Sequence, residues 1–324
     1  GLHLMNSPKT ARKGNMVSAI GMVFAVAMAF IVLFAGEISN GFKHSVAVVV
    51  LMVGILIGAV AGVVSAKKVK MTDMPQLVSV FNTVGGGAAA LVALNDILTS
   101  AETPSIVVLI TAGLGIMIGS VTFSGSLIAA GKLQGIKWVK KLSLPGKGFW
   151  NILFVVLTVA SFVMLCVQPN QRLLWSVLTT VFALCYGLVF VIPIGGADMP
   201  VVISVLNACT GTAVAMSGLA INNIALIVAG ALVGAAGVTL SIAMSKAMNR
   251  PLLSVLAGGF GGSNSAAGAG EGPEGTMKET SADDLAVQLV YAEKVIFVPG
   301  FGLAQAQAQR ELADLGTQIG RAHV

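Results

Sequence analysis

The chain has 324 residues, of which 56% are hydrophobic and only 10% are charged, and its mean hydropathy is +0.92. A soluble protein of this length carries about 25% charged residues, so the composition excludes that class and predicts a polytopic membrane protein. The formal net charge of +6 is explained by a difference between the two sides of a membrane. Nucleic acid is therefore not an expected partner, whereas membrane lipid is.

Eight apolar segments reach the length of about 20 residues that a helix needs to cross a bilayer. They cover residues 15–36, 45–66, 74–98, 105–131, 149–168, 173–195, 199–219 and 222–246. If the amino terminus lies inside, thirteen Lys and Arg residues fall in the inner loops and only Lys43 and Arg172 fall in the outer ones. This asymmetry predicts that both ends of the chain lie on the inner side.

One segment occurs twice, as "MTDMPQLVSVFN" at 71–82 and as "GADMPVVISVLN" at 196–207. In each copy the aspartate, Asp73 or Asp198, is a candidate helix N-cap, and a proline falls in the first turn. An even number of crossings separates the copies, which are therefore predicted to run parallel. The simplest explanation is duplication of a four-helix unit, giving two parallel repeats. Repeats with polar helices near their axis are typical of transporters.

Asn82 and Asn207 follow their aspartates by nine residues, which places them roughly 13 Å deep, near the middle of a hydrocarbon core about 30 Å thick. Such amides can serve as hydrogen bonds between packed helices, or they can line a path for protons. Their common depth favours a polar centre, which Ser79 and Ser204 extend along the same helix faces. Likewise, Asp198 is either a helix cap or a gate at the inner mouth.

The fourth and eighth spans carry glycines four residues apart, which allow close helix contact: Gly115 and Gly119, and Gly230 and Gly234. Ser126 and Thr122 are candidates for the polar centre, although either hydroxyl can instead bond to its own helix. No span has Lys, Arg, His or an acidic residue at its centre. A titrating group is therefore expected on a partner chain or at the inner mouth.

After Arg250 the composition changes. Residues 256–276 are rich in Gly, Ser and Ala and predict a flexible linker. A helix starting near Ser281, a buried strand "KVIFV" and a helix "LAQAQAQRELADL" follow, which together predict the start of a soluble α/β element. The three cysteines fall in apolar spans and are interpreted as buried small hydrophobes, not as a disulfide or metal site.

The predicted strand and the last helix are joined by Gly300-Phe301-Gly302, the arrangement of a dinucleotide phosphate turn. Gly300 permits a tight turn, Gly302 lets a pyrophosphate approach backbone N–H groups, and Ala306 allows close helix packing. The spacing is GxGxxxA instead of GxGxxG, so the motif is weak evidence by itself, and its position between a strand and a helix strengthens it.

Taken together, these segments resemble the beta subunit of the proton-translocating nicotinamide nucleotide transhydrogenases. The matching stretches are "SPKTARKGN", "MTDMPQLV", "GSVTFSGSLIAAGKLQG", "IGGADMPVVISVLN", "KAMNRPLLSVLAGGFG" and "VPGFGLAQAQAQ". The resemblance implies a membrane enzyme that exchanges hydride between NAD(H) and NADP(H) and couples it to proton passage. It implies three regions: a proton-translocating membrane domain at 1–255, a linker at 256–282 and the beginning of a Rossmann-like NADP(H)-binding domain at 283–324.

The resemblance also implies roles for particular residues. Asn207, Ser126 and Asp198 would belong to the proton path and its inner mouth, and Asn82 falls where other members have a histidine or an amide. NADP(H) would be held by the carboxyl-terminal domain, with Gly300, Gly302 and Ala306 at its pyrophosphate.

NAD(H) would bind a separate alpha subunit or region, and the alpha–beta unit would form a homodimer. The expected location is a bacterial cell inner membrane with the soluble domain in the cytoplasm, in preference to a mitochondrial inner membrane. The family's first membrane helix would precede Gly1, and most of the NADP(H) domain would follow Val324.

Two other classes of function fit part of the pattern. A secondary transporter with a small regulatory nucleotide domain would also carry repeats and polar residues at mid-depth. A structural membrane anchor without any path would need only the apolar spans. The phosphate-type turn after a flexible linker favours the transhydrogenase, because a transporter does not need it.

Overall fold

The computed structural model of the chain describes the following residues. They are 4, 8–39, 45–70, 73–100, 104–136, 139, 146–248, 251–257, 282–292, 294–300, 303 and 308–322. Within these ranges the chain is helical and forms no β-strand. The helices are α1 (Pro8–Ser39), α2 (Ser45–Lys68), α3 (Met74–Thr99), α4 (Ile106–Leu133), α5 (Lys147–Val167), α6 (Arg172–Val191), α7 (Met199–Ala220), α8 (Ile224–Ala247), α9 (Leu252–Ala257), α10 (Ala282–Val290) and α11 (Gln309–Ala322).

Helices α1 to α8 are each long and apolar enough to cross a membrane, which confirms the eight predicted spans. The chain is therefore a multi-pass membrane protein. Their outward faces carry large apolar side chains, such as Leu91 at 66% exposure and Val107 at 64%, as contact with lipid requires. The chain divides into two compact units, Gly1–Val69 with α1 and α2, and Lys70–Val324 with the remaining helices.

Helices of the second unit that follow one another in the chain run antiparallel. Between α3 and α4, Gln76 contacts Leu133 near one end, and Ala93 lies against Gly115 near the other. Glycines allow this approach, because a Cβ added to Gly119 would lie 2.7 Å from the carbonyl oxygen of Gly86. The predicted close packing of glycine-bearing helices is confirmed here and between α7 and α8.

Helices α3 and α7, which carry the two copies of the repeated segment, run parallel, as predicted. Thr210 bonds to Asn82 and Ser217 bonds to the carbonyl oxygen of Ala89, and each pair is 128 positions apart in sequence. The copies themselves are 125 positions apart. The contact register is therefore displaced by three residues, or about 4.5 Å along the helix, from the register of the repeat. The duplication of a four-helix unit stays a prediction.

Two apolar clusters occupy the ends of the second unit. One joins the last residues of α4 and α6 to the first residues of α7 and to α9, and includes Val191, Met199, Val202 and Val255. The other joins the end of α3 to the beginning of α4 and to α5, and includes Ala93, Ile97, Leu109, Ile116 and Leu165. Val255 and Leu256 of α9 pack on the first cluster. The helix extends to Ala257 and so includes the first two residues of the predicted linker. Residues 258–281 lie outside the described part.

The carboxyl-terminal segment differs from its prediction. "KVIFV" forms no strand, and Ile296 and Val298 are exposed by 73% and 87%, so the prediction of a buried strand is wrong. The reason is that a strand needs a paired neighbour, and the described residues supply none. The flanking helices do form, as α10 and as α11 over Gln309–Ala322, and residues 304–307 of the predicted second helix lie outside the described part.

Candidate functional site

Four polar side chains from three helices meet inside the second unit and are here named the central polar cluster: Ser79 and Asn82 of α3, Ser126 of α4 and Thr210 of α7. Each is buried, with exposures of 0%, 6%, 0% and 7% respectively. Asn82 lies eight residues into α3, or roughly 12 Å from its start. The cluster therefore sits at mid-depth of the spans, where the sequence predicts a polar centre.

A continuous chain of hydrogen bonds runs through the cluster. Thr210 Oγ1 donates to Asn82 Oδ1 at 2.7 Å, and Asn82 Nδ2 donates to Ser126 Oγ at 2.8 Å. Ser79 Oγ donates to the backbone oxygen of Ser126 at 2.8 Å. Such bonds offset the cost of burying polar groups in hydrocarbon, and they bring together Asn82 and Ser126, two of the residues predicted for the path.

The hydroxyl of Ser126 accepts from Asn82, but among the described residues it has no acceptor for its own hydrogen. A serine hydroxyl is one donor and two acceptor sites, so this group retains a free donor in the interior. Thr122 on the same helix behaves differently, since its hydroxyl donates to Ile118 O at 2.8 Å. Of the two predicted hydroxyls, only Ser126 joins the chain.

The cluster is polar but contains no group that titrates. Its three hydroxyls and one amide can orient and hydrogen-bond a water molecule, and a proton can then pass between water and the hydroxyls. Toward the end of α3, the apolar cluster of Ile97, Leu109 and Ile116 is fully buried. The central polar cluster is thus separated from that end by packed hydrocarbon.

Asn207 is not bonded to this chain. Its side chain is half-buried, and no hydrogen-bond partner for it is found within the described ranges. The register explains this: with contacts 128 positions apart, the residue opposite Asn207 is Ser79, and the residue opposite Asn82 is Thr210. The predicted meeting of two amides at equal depth is therefore not observed. Ser204 faces α8, where its hydroxyl lies 3.2 Å from the sulfur of Met244.

The two aspartates occupy the N-cap positions of α3 and α7, as predicted, but neither side chain caps its helix. Their backbones have φ and ψ of −98° and 0° at Asp73, and of −87° and −8° at Asp198. An N-cap side chain reaches the first turn from the β region, which these residues do not adopt. Asp198 is half-buried and Asp73 is exposed.

Only part of the predicted nucleotide turn is described. Gly300 is exposed, and a Cβ added there would meet no atom within 4 Å. This space is compatible with the close approach of a phosphate to the backbone. Gly302 and Ala306 lie outside the described residues.

Sequence reasoning missed two contributors. Thr210 lies one helical turn after Asn207 and so shares its side of α7, but the two sequence copies point to the wrong register. Lys132 is one of the thirteen basic residues near the inner side, and the sequence indicates no further role for it. Its ammonium instead donates to the backbone oxygens of Val191 at 3.3 Å and Ile194 at 2.8 Å, and also to that of Ile192.

Comparison with known proteins gives consistent matches. The model of the family "PNTB: NAD(P) transhydrogenase beta subunit" matches residues 1–324. The NAD(P) transhydrogenase subunit beta of Rhodospirillum rubrum is 40% identical over 324 aligned residues, which cover 96% of this chain and 67% of the relative. The protein of the same name from strain ATCC 11170 of that species gives the same values. With its whole length matched and eight membrane helices in place, the chain belongs to the NAD(P) transhydrogenase beta subunit family.

Proposed function

We propose that the central polar cluster is the mid-membrane part of a proton path that couples proton movement to hydride transfer between NADH and NADP⁺. The observation that carries the proposal is the buried chain from Thr210 through Asn82 to Ser126, which ends on a free hydroxyl donor. A buried polar chain at mid-depth of a membrane domain is costly and is characteristic of proton and substrate pathways. Asn207 and Asp198 complete the proposed path toward the inner side.

Family membership makes the chain a membrane subunit of an NAD(P) transhydrogenase, an oxidoreductase that uses nicotinamide nucleotides, with an alpha subunit as partner. This membership decides against the two alternatives, a secondary transporter and a structural anchor.

In the proposed path each residue has a limited task. Asn82 positions Ser126 and Thr210 through its two amide atoms, and the Thr210 hydroxyl lies closer to Asn82 Oδ1, at 2.7 Å, than to the backbone oxygen of Leu206, at 3.1 Å. Ser126 presents its free hydrogen to a water molecule, and the apolar cluster beyond it prevents a continuous water file. A proton therefore crosses only when the helices shift, which is the requirement for coupling to another reaction.

The nucleotide part of the proposal concerns the residues after the membrane helices. Residues 1–255 form the proton-translocating domain, 256–282 a linker, and 283–324 the beginning of a Rossmann-like domain that binds NADP(H). Gly300, Gly302 and Ala306 would hold its pyrophosphate, supported by the open space at Gly300. NADP(H) supplies or accepts the hydride there, and NAD(H) binds the alpha subunit or region.

The proposal also includes the assembly and the cellular location of the protein. The proposed assembly is a homodimer of the alpha–beta unit, surrounded by lipid along its exposed apolar helix faces. The proposed location is the inner membrane of a bacterium with the nucleotide domain in the cytoplasm, supported by the excess of Lys and Arg on the inner loops.

The proposal is tested by Asn82→Leu in the full-length subunit with its alpha partner. Leucine has a similar size but breaks both bonds of the chain, and two hydrogen bonds of about 1 kcal/mol each correspond to a loss of roughly tenfold to thirtyfold in NADPH-driven hydride transfer. The matched control is Thr179→Val, which removes a buried bond between α5 and α6, from Thr179 Oγ1 to Ser161 Oγ at 3.1 Å. Equal rates of hydride transfer in Asn82→Leu and Thr179→Val would refute the proposed proton path.

A further inference from the structure

We propose that Lys132 is a positioning residue that ties the helix bearing Ser126 to the turn bearing Asp198. The proposal rests on the proposed function, because it concerns the two ends of the inner half of the path. Its basis is the ring of backbone oxygens around the lysine ammonium, which belong to Val191, Ile192 and Ile194.

These oxygens form the end of α6 and the first residues after it. The last carbonyl groups of a helix have no partner within the helix, and a lysine near the carboxyl end can satisfy them and interact with the helix dipole. The residues concerned are buried, with Val191 at 0%, Ile192 at 6% and Ile194 at 2% exposure. Water cannot easily replace the ammonium there, so Lys132 fixes the connection between α6 and α7.

The connection is also held by packing, because Ile192 and Ile194 belong to the same apolar cluster as Met199. Gly195 and Gly196 have open space around them, because an added Cβ would meet no atom within 4 Å at either position. The turn Gly196–Asp198 follows directly, and Met199 is fully buried in the apolar cluster. Asp198 therefore follows two glycines that lie in open space, and it stands between two buried residues, Ile194 and Met199. Of these, Ile194 is held by the lysine.

Lys132 is also connected to Ser126, because both residues lie on α4. Lys132 follows it by six residues on α4, which is about 9 Å along a continuous helix. At the next position, the carbonyl oxygen of Leu133 accepts a hydrogen bond from Gln76 Nε2 at 3.3 Å, so α3 is attached at the same end of α4. A displacement of α4 therefore moves the central polar cluster and the Asp198 turn together.

This arrangement predicts a specific consequence when the tie is removed. Without the ammonium, a displacement of α4 no longer moves the Asp198 turn. Hydride transfer can then proceed while Ser126 and Asp198 are not both positioned for proton passage. The quantity that reports this is the number of protons taken up per hydride transferred. A helix cap with a purely structural role would lower the amount of folded protein and leave this number unchanged.

The chain offers a matched control of the same chemistry. Arg172 Nη2 donates to the carbonyl oxygen of Ser100 at 2.7 Å, at the end of α3 and on the opposite side of the unit. Like Lys132, it is a cation on the last carbonyl of a neighbouring helix. It is remote from Asp198, however, so Arg172→Met removes the same kind of bond without touching the inner connection.

The experiment uses the full-length subunit with its alpha partner in proteoliposomes and measures proton uptake and hydride transfer together. Lys132→Met is expected to lower protons per hydride about fivefold or more, within the usual range of coupling free energies. Lys132→Arg is expected to restore the ratio, and Arg172→Met to keep it. If Lys132→Met yields too little protein, Lys132→Gln retains two N–H donors without the charge and is expected to lower the ratio in the same direction.

A wild-type ratio in Lys132→Met or Lys132→Gln, an equal loss in Arg172→Met, or failure of Lys132→Arg to restore the ratio would overturn the proposal. Asn82→Leu in the same vesicles separates this from failure of the proposed path. If Asn82→Leu slows uptake and the Lys132 variants keep the wild-type number of protons per hydride, only the positioning role is rejected. If Asn82→Leu leaves uptake at the wild-type level, the path is rejected, and the positioning role with it.

Discussion

At the scale of single residues, the interior of the membrane unit depends on one amide with two hydroxyl partners. Asn82 joins α3 to α4 and to α7 in a single side chain, so its two bonds are also two contacts between helices. A hydrocarbon side chain at this position could not orient the hydroxyls, and this orientation is what the proposed proton path requires.

Asn207 tests whether an amide in this unit serves as a hydrogen bond between packed helices or as part of the proposed proton path. Its side chain has no hydrogen-bond partner among the described residues, so Asn207→Leu removes no internal bond and is expected to leave assembly and thermal stability within about 0.5 kcal/mol of the wild type. If Asn207 contacts water of the path, NADPH-driven hydride transfer is expected to fall tenfold or more, by roughly the value of one bond to a charged or shared proton. Wild-type rates in isolated membranes would remove Asn207 from the path.

Asp198 is tested by Asp198→Asn. Because its side chain does not cap α7, the substitution is expected to leave the amount of folded protein unchanged, while the loss of charge slows coupled hydride transfer. Asp73→Asn is the matched control, since Asp73 begins α3 in the same way but is more exposed. We expect the smaller effect at Asp73, which also lies close to Lys67, Lys68 and Lys70 in sequence. Equal rates for the wild type and Asp198→Asn would limit Asp198 to a structural role.

At the scale of helices, glycine determines how closely α7 and α8 approach. A Cβ added to Gly211 would lie 2.3 Å from the backbone nitrogen of Gly234 and 2.7 Å from the backbone oxygen of Gly230. No rotamer change can relieve a contact with backbone, so one methyl group must separate the helices.

Gly211→Ala is therefore expected to destabilise the membrane unit by about 1–3 kcal/mol, the usual cost of overpacking. Gly58→Ala in α2 is the control, because an added Cβ there meets no atom within 4 Å, and alanine is the better helix former. The measurement is the temperature at which half of the detergent-solubilised protein aggregates. A drop for Gly211→Ala that is no larger than that for Gly58→Ala would contradict the packing described.

Sequence alone predicted the helices well and their register poorly. The eight spans follow from length and hydropathy, which local composition determines, and the described helices agree with them. The pairing of Asn82 with Thr210 instead of Asn207 depends on a displacement of three residues between α3 and α7. Side-chain packing across the interface sets that displacement, and no local pattern reports it.

The predicted strand failed for a related reason. "KVIFV" has the β-branched and aromatic composition of a strand, but backbone pairing comes from other segments, and none is present among the described residues. The ring of backbone oxygens around Lys132 could not be predicted from the sequence either, because every residue has the same backbone oxygen. What the sequence supplied for the site was the set of polar residues at mid-depth, three of which, Ser79, Asn82 and Ser126, do meet.

At the scale of the whole molecule, the proposed membrane path acts together with a proposed nucleotide site. Gly302→Val in the full-length subunit is expected to weaken NADP(H) binding at least tenfold, because a β-branched side chain would occupy the position of the pyrophosphate. Insertion into the membrane is expected to be unchanged, since the residue follows the last membrane helix. Titration with NADPH provides the measurement, and unaltered affinity would show that this turn does not bind phosphate.

The central claim is that protons cross the membrane through the chain of Thr210, Asn82 and Ser126 when hydride is transferred. It is tested most directly by proton uptake into proteoliposomes that contain the full-length subunit and its alpha partner, driven by NADPH and an NAD analogue. The account predicts rapid uptake by the wild type and by Thr179→Val. It predicts uptake that is roughly tenfold to thirtyfold slower by Asn82→Leu, although this variant still binds NADPH. Wild-type uptake by Asn82→Leu would contradict the account.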